Sequence, residues 1–132
     1  MKRLLLALFL ITTSAATVSP VIATAQGTQN QPVSQSVFVA KYTDWNNHVL
    51  NNQLNLANQD FEQIKPMFIS NFAEGKTAIV NATSQAQKQL LLDKLRDKQT
   101  IYTAIMGLAT DMVTNRAAIK QKFDEYAALY NL

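Results

Sequence analysis

Apolar side chains return at helical spacing along most of this chain. Phe38, Tyr42, Trp45 and Val49 recur every three or four residues, which puts them on one face of a helix predicted over 37–52. The amide-rich stretch at 51–56 interrupts the pattern. Asn58 is the expected N-cap of a second helix, with Asp60 and Glu62 in its first turn near the positive helix end. Its buried stripe is Phe61, Ile64, Phe68 and Phe72, with a bend or restart expected at Pro66 and an end or weak point at Gly75. Ser84 is expected to cap a third helix, in which Leu91, Leu95, Tyr102, Ile105 and Met112 approach a heptad spacing. Ile119, Phe123, Tyr126 and Tyr130 carry the same logic to the end, either as a fourth helix capped near Thr114 or Asn115 or as a continuation of the third. Long helices with short connections pack antiparallel, so the predicted fold is all-α: a helical hairpin or a three- to four-helix bundle, closing its apolar faces alone or as a homodimer.

The amino terminus follows a different pattern. Lys2 and Arg3 precede an apolar run from Leu4 to Ile11, and the small-residue triplet Ala23, Thr24, Ala25 stands before Gln26. These are the three parts of a cleavable secretory signal. Thr12, Thr13, Ser14, Thr17, Ser19 and Pro20 break the run well short of the ~20 residues that cross a bilayer, so no stable membrane anchor is expected after cleavage. The expected organisation is a signal peptide over 1–25, a flexible polar leader over 26–36 and a helical domain over 37–132, exported to the periplasm or secreted.

Composition narrows the chemistry. The full chain carries 12 basic and 9 acidic side chains, but Lys2 and Arg3 leave with the signal, so the mature chain is close to neutral and makes no case for nucleic acid. There is no cysteine, so no disulfide framework and no thiol nucleophile. One histidine, His48, flanked by Asn46, Asn47 and Asn51, reads as a surface imidazole rather than a triad base, and one histidine is too few for a zinc site. Asp60 with Glu62, and Asp93 with Asp97, read as solvated carboxylates; the second pair interleaves with Lys94, Arg96 and Lys98 as on an ion-paired helix surface. Gly75, Lys76 and Thr77 lack the upstream glycine of a phosphate loop. No catalytic residue, metal ligand or cofactor site is expected, and the chain is read as a non-enzyme.

The aromatic and methionine content of the helical faces is large for so short a chain, and surplus beyond the core would form an adaptable binding surface. Over Leu54 to Phe68 the sequence resembles the first repeat of the Spy/CpxP-like periplasmic proteins, whose signature is L-T-x-x-Q followed by a helix, with an Ile or Leu eight residues after the motif's leucine. Leu56 and Ile64 keep that spacing; Ala57 and Asp60 stand where the signature has Thr and Gln. The resemblance implies a curved helical hairpin, dimeric, working as an ATP-independent chaperone or envelope-stress modulator on unfolded or envelope proteins. Charge and periodicity then nominate Lys65, Lys76, Lys88, Lys94, Arg96 and Lys98 to steer clients, and Met67, Phe68, Phe72 and Met106 to contact them. The competing reading is a secreted helical interaction module, structural or effector, with one dedicated protein partner.

Overall fold

The computed structural model describes residues 32–131. The expected signal peptide and the expected leader up to Gln31 lie outside the described residues. Four α-helices follow one another: α1 (Gln35–Leu50), α2 (Leu54–Val80), α3 (Gln85–Leu108) and, after a single 3-10 turn at Ala109–Asp111, α4 (Met112–Leu129). Each packs against its neighbours in sequence and α4 closes back on α1, which makes an up-down-up-down four-helix bundle. The predicted all-α class holds, in its four-helix form.

Local chemistry explains the boundaries, including those the sequence placed elsewhere. Ser34 accepts the Val37 N–H at 3.3 Å, so α1 begins at Gln35 and takes two residues from the expected leader. At the other end Asn52 has φ 59°, the Gln53 N–H reaches His48 O at 2.7 Å and the Asn52 N–H reaches Val49 O at 3.0 Å. This is a Schellman closure, with asparagine tolerating the left-handed position. It turns the chain so tightly that α2 starts at Leu54, one turn before the expected Asn58 cap, with Gln53 as a cap that makes no side-chain bond.

Pro66 does not divide α2, and Gly75 does not end it. A proline inside a helix forfeits the bond to the carbonyl four residues back, but Ile64 and Phe68 on either side are wholly buried and hold the turn. Gly75 is buried where α2 meets α3, and a Cβ there would lie 3.4 Å from Leu95 Cδ1. Ser84 caps α3 as expected, accepting from Gln87 N at 3.1 Å. The break before α4 falls at 109–111 rather than at Thr114 or Asn115, because Asp111 Oδ1 accepts the Thr114 N–H at 3.1 Å. That bond, a second from the Thr114 hydroxyl and one from the Val113 backbone keep the Asp111 carboxyl below the usual range.

The core is aromatic. Phe38 meets Tyr42, Phe68, Tyr126 and Tyr130 with ring centroids 5.1 to 5.4 Å apart, and Phe123 stacks on Tyr42 at 4.9 Å. Phe68 of α2 touches Phe123 and Tyr126 of α4, so rings bridge the bundle's diagonal where no backbones approach. Phe68→Ala is expected to lower unfolding free energy by about 3–5 kcal/mol. Gly107→Ala, where a Cβ meets nothing within 4 Å, should raise it by about 0.5–1 kcal/mol through helix propensity. Urea titrations of the two variants check both signs.

Candidate functional site

Three features of the bundle carry polar or exposed chemistry: a buried network around Lys98, a charge cluster on Asp60, and the end formed by the α1–α2 and α3–α4 connections.

Lys98 lies on the core side of α3 with no exposed surface. Its Nζ donates to Asn71 Oδ1 at 2.9 Å and to Tyr130 O at 3.0 Å, and it sits over the Tyr126 and Tyr130 rings at 5.9 and 6.0 Å. Asn71, itself 2% exposed, also accepts from Tyr126 Oη at 2.8 Å and donates through Nδ2 to Tyr130 O at 3.2 Å. Burial pushes the Lys98 ammonium down to about 8, with Lys94 adding to the fall and Glu74 opposing it. Burial also raises the Tyr126 hydroxyl, and it pushes Tyr130 up to about 12 with help from the charge of Glu74. Tyr130 Oη donates to Val33 O at 2.6 Å, so the network ties the entry to α1 to the exit from α4. No carboxylate takes part in these bonds, so the ammonium is solvated by an amide and a carbonyl.

On the α1–α2 side, Asp60 is 6% exposed and accepts from both His48 Nδ1 at 2.5 Å and Lys41 Nζ at 3.2 Å. This corrects two expectations. Asp60 is not a solvated helix carboxylate, because it stands on the inward seam of α2 with Ala57, Phe61 and Ile64, where α1 covers it. His48 is not a free surface imidazole, because the packing of α1 on α2 brings that carboxylate to its Nδ1. The arrangement fixes one imidazole face and clamps α1 to α2. Glu62 and Asp93 do lie on the surface, paired with Lys65 at 2.8 Å and Arg96 at 3.2 Å. Among the described residues no group of three or more His, Cys, Asp or Glu is placed to hold a metal ion. Among them, too, no helix is long and apolar enough to cross a membrane.

The expected client face is not assembled. Phe68 is fully buried and Phe72 nearly so, both inside the ring cluster, and Lys98 is internal. Met67 and Met106 are partly buried against the same core. Lys65 and Lys76 lie on α2, whereas Lys94 and Arg96 stand on α3, about 200° apart around its axis. The steering charges therefore do not converge on one concave surface. A groove between α3 and α4, about 490 Å³, is open and mixes Asp97, Lys122 and Glu125 with Thr100, Ile101 and Leu129.

The third feature is one the sequence reading passed over. Between Asp44 and Asp60 the sequence has no aspartate, glutamate, lysine or arginine. The antiparallel topology puts the end of α1 and the start of α2 at the same end of the bundle as the α3–α4 turn. There Leu50, Leu54, Leu56 and Val113 are 58%, 38%, 40% and 56% exposed, among Asn51, Asn52, Gln53 and Thr110. Arg116 points its guanidinium to Asn46 Oδ1 at 2.7 Å, and Asp111 is engaged in capping. The interruption in periodicity at 51–56 was the available signal.

No family model, no curated protein and no solved structure matches this chain.

The Lys98 network yields a test with a definite sign. The folded ammonium titrates near 8 and an unfolded lysine near ~10.4. Between those values the unfolded chain binds more protons, so this group's contribution to stability rises with pH. Above ~10 the buried tyrosines reverse the trend, since the fold retains phenolic protons that the unfolded chain releases. Lys98→Met leaves Asn71 Oδ1 its bond from Tyr126 and Tyr130 O its bond from Asn71. At pH 7 it should therefore be neutral or stabilising by ~1–3 kcal/mol. Its urea midpoint should also lack the rise between pH 8 and 10. Asn71→Leu, which strands the Tyr126 hydroxyl and leaves Lys98 Nζ and Tyr130 O only their bond to each other, should instead lose ~2–4 kcal/mol.

Proposed function

We propose that this chain is an exported helical module that binds one protein partner through the end of its bundle formed by the α1–α2 and α3–α4 connections. The observation that carries the reading is the exposure of Leu50, Leu54, Leu56 and Val113 at an end where fixed charge is almost absent. The centres of protein interfaces are depleted in charge, and contiguous exposed apolar side chains mark association sites. Amides around the leucines add hydrogen-bonding groups without the desolvation cost of ions. Export is supported by Lys2, Arg3, the apolar run from Leu4 and the Ala23 to Ala25 triplet.

The ATP-independent chaperone reading draws less support. A holder of unfolded clients needs a broad apolar surface, and the aromatic side chains nominated for it are packed into the interior. A small, low-charge end suits a defined partner better than many clients. Catalysis has still less to stand on, since the geometry of Asp60 with His48 and Lys41 is that of an ion-pair clamp between helices.

The test uses mature protein from Gln26 onward and its Leu50→Lys/Leu54→Lys variant. Surface changes of this kind move stability by only about 0.5 kcal/mol, so the variant should keep its thermal midpoint. The expected outcome is one stoichiometric partner recovered from envelope extract by the native chain and lost by the variant. Added without ATP to two unrelated chemically unfolded proteins, the native chain should leave light scattering unchanged. Suppression of both aggregations, retained in the variant, would transfer the assignment to a general chaperone using another face.

A further inference from the structure

Trp45 is wholly buried, yet its indole N–H needs an acceptor, and the one it reaches is the sulfur of Met112 at 3.3 Å. Met112 is the first residue of α4, directly after the 3-10 turn. It is partly exposed, between Asp111 and Val113, both of which face solvent. A partly exposed residue whose thioether is hydrogen-bonded to the core joins the surface to the interior. The chain has no cysteine to intercept an oxidant first.

We propose that Met112 is a reversible oxidation site whose state is transmitted to the core through Trp45. The oxidant is a peroxide or hypohalous acid. With hydrogen peroxide, a sulfur lone pair attacks one peroxide oxygen and the O–O bond breaks. The sulfur is oxidised by two electrons to the sulfoxide, and the other oxygen leaves as water after taking the proton. The new oxygen has no room along the line from Trp45 Nε1 to sulfur, where donor and acceptor are only 3.3 Å apart. If it keeps the indole bond, the start of α4 must move away from α1; if it turns to water, the indole N–H is left with a poorer acceptor in a buried site. Either way the contact joining the ends of α1 and α4 weakens. This is the end that displays Leu50, Leu54 and Val113. Control of binding by this oxidation rests on the reading proposed above; the oxidation and its transmission do not.

Met67 and Met106 are also partly buried beside the core, but neither sulfur has a described bond to a buried donor. Two mature variants separate the cases: Met67→Leu/Met106→Leu, which keeps Met112, and Met112→Leu, which keeps the other two. Each is treated with graded hydrogen peroxide and followed by peptide mass, tryptophan emission and thermal melting. The first variant should gain one oxygen at Met112. Its Trp45 emission should shift to the red and its midpoint fall by about 5 °C, with both restored by methionine sulfoxide reductase. Met112→Leu should take up oxygen without either change. Three results would overturn the proposal: Met112 resisting oxidation in the folded protein, its full oxidation leaving emission and midpoint unmoved, or Met112→Leu responding as strongly. None of these readouts depends on a binding partner.

Discussion

Four helices in roughly a hundred residues, with no disulfide, are held by what crosses between them. Here the crossing is made by rings. Phe38 of α1, Phe68 of α2 and Phe123 and Tyr126 of α4 are all wholly buried and in mutual contact. Because Phe68 reaches α4 across the diagonal, the two hairpins cannot slide past each other without parting aromatic edges from faces. The interior is filled by side chains that in a longer chain would be surplus. That is why little aromatic surface remains outside, and why the exposed apolar residues that do remain are aliphatic and, apart from Ile69 in the middle of α2, lie toward helix ends.

A ring core gives area but little direction, and the polar groups inside it add direction. Asn71 receives bonds from Lys98 and Tyr126 and gives one to the Tyr130 carbonyl, so α2, α3 and α4 share one node. A one-turn slip of any of these helices would leave a buried ammonium or amide unpartnered. The network thus specifies register at some cost in stability, as buried polar groups do in bundles. At the opposite end Asp60 fixes α1 against α2 with His48 and Lys41. Each polar cluster lies near one end of the bundle, and the rings occupy the middle.

This arrangement marks what could be read from the sequence. The helices were legible because their apolar spacing is regular, and the cap at Ser84 followed from residue type, whereas the break before α4 falls a few residues ahead of Thr114 because Asp111 takes the cap. Lys98 was missed although the spacing of Leu91, Leu95, Tyr102 and Ile105 leaves its position as the gap in a heptad seam. Asn71 and Asp60 stand on their own helix seams in the same way. Residue chemistry argued for the surface and periodicity argued for the core, and periodicity prevailed because each group finds hydrogen-bond partners inside. The client face failed for the complementary reason. Phe68 and Phe72 have core chemistry and core spacing, and only an assumed open hairpin would have exposed them; closure of α4 on α1 removes that surface. The start of α2 was misplaced because Asn52 in a left-handed conformation is not evident from spacing.

The low-charge end follows from the same economy of packing. Residues 45–59 spend their polar groups on closing α1 and opening α2, through Asn52, Gln53 and the carbonyls of His48 and Val49. Leucines on either side of such a tight turn cannot both point inward, since the ring cluster begins a turn deeper at Trp45 and Phe61. They are left facing solvent by geometry rather than by loose packing, on a support that is rigid because Trp45, Asp60 and Met112 brace it from beneath. A surface held in that way can present a fixed shape to a partner without ordering on contact, which lowers the entropic cost of association. The brace from Met112 is a sulfur contact, and the stiffness of the end therefore depends on the chemical state of that sulfur.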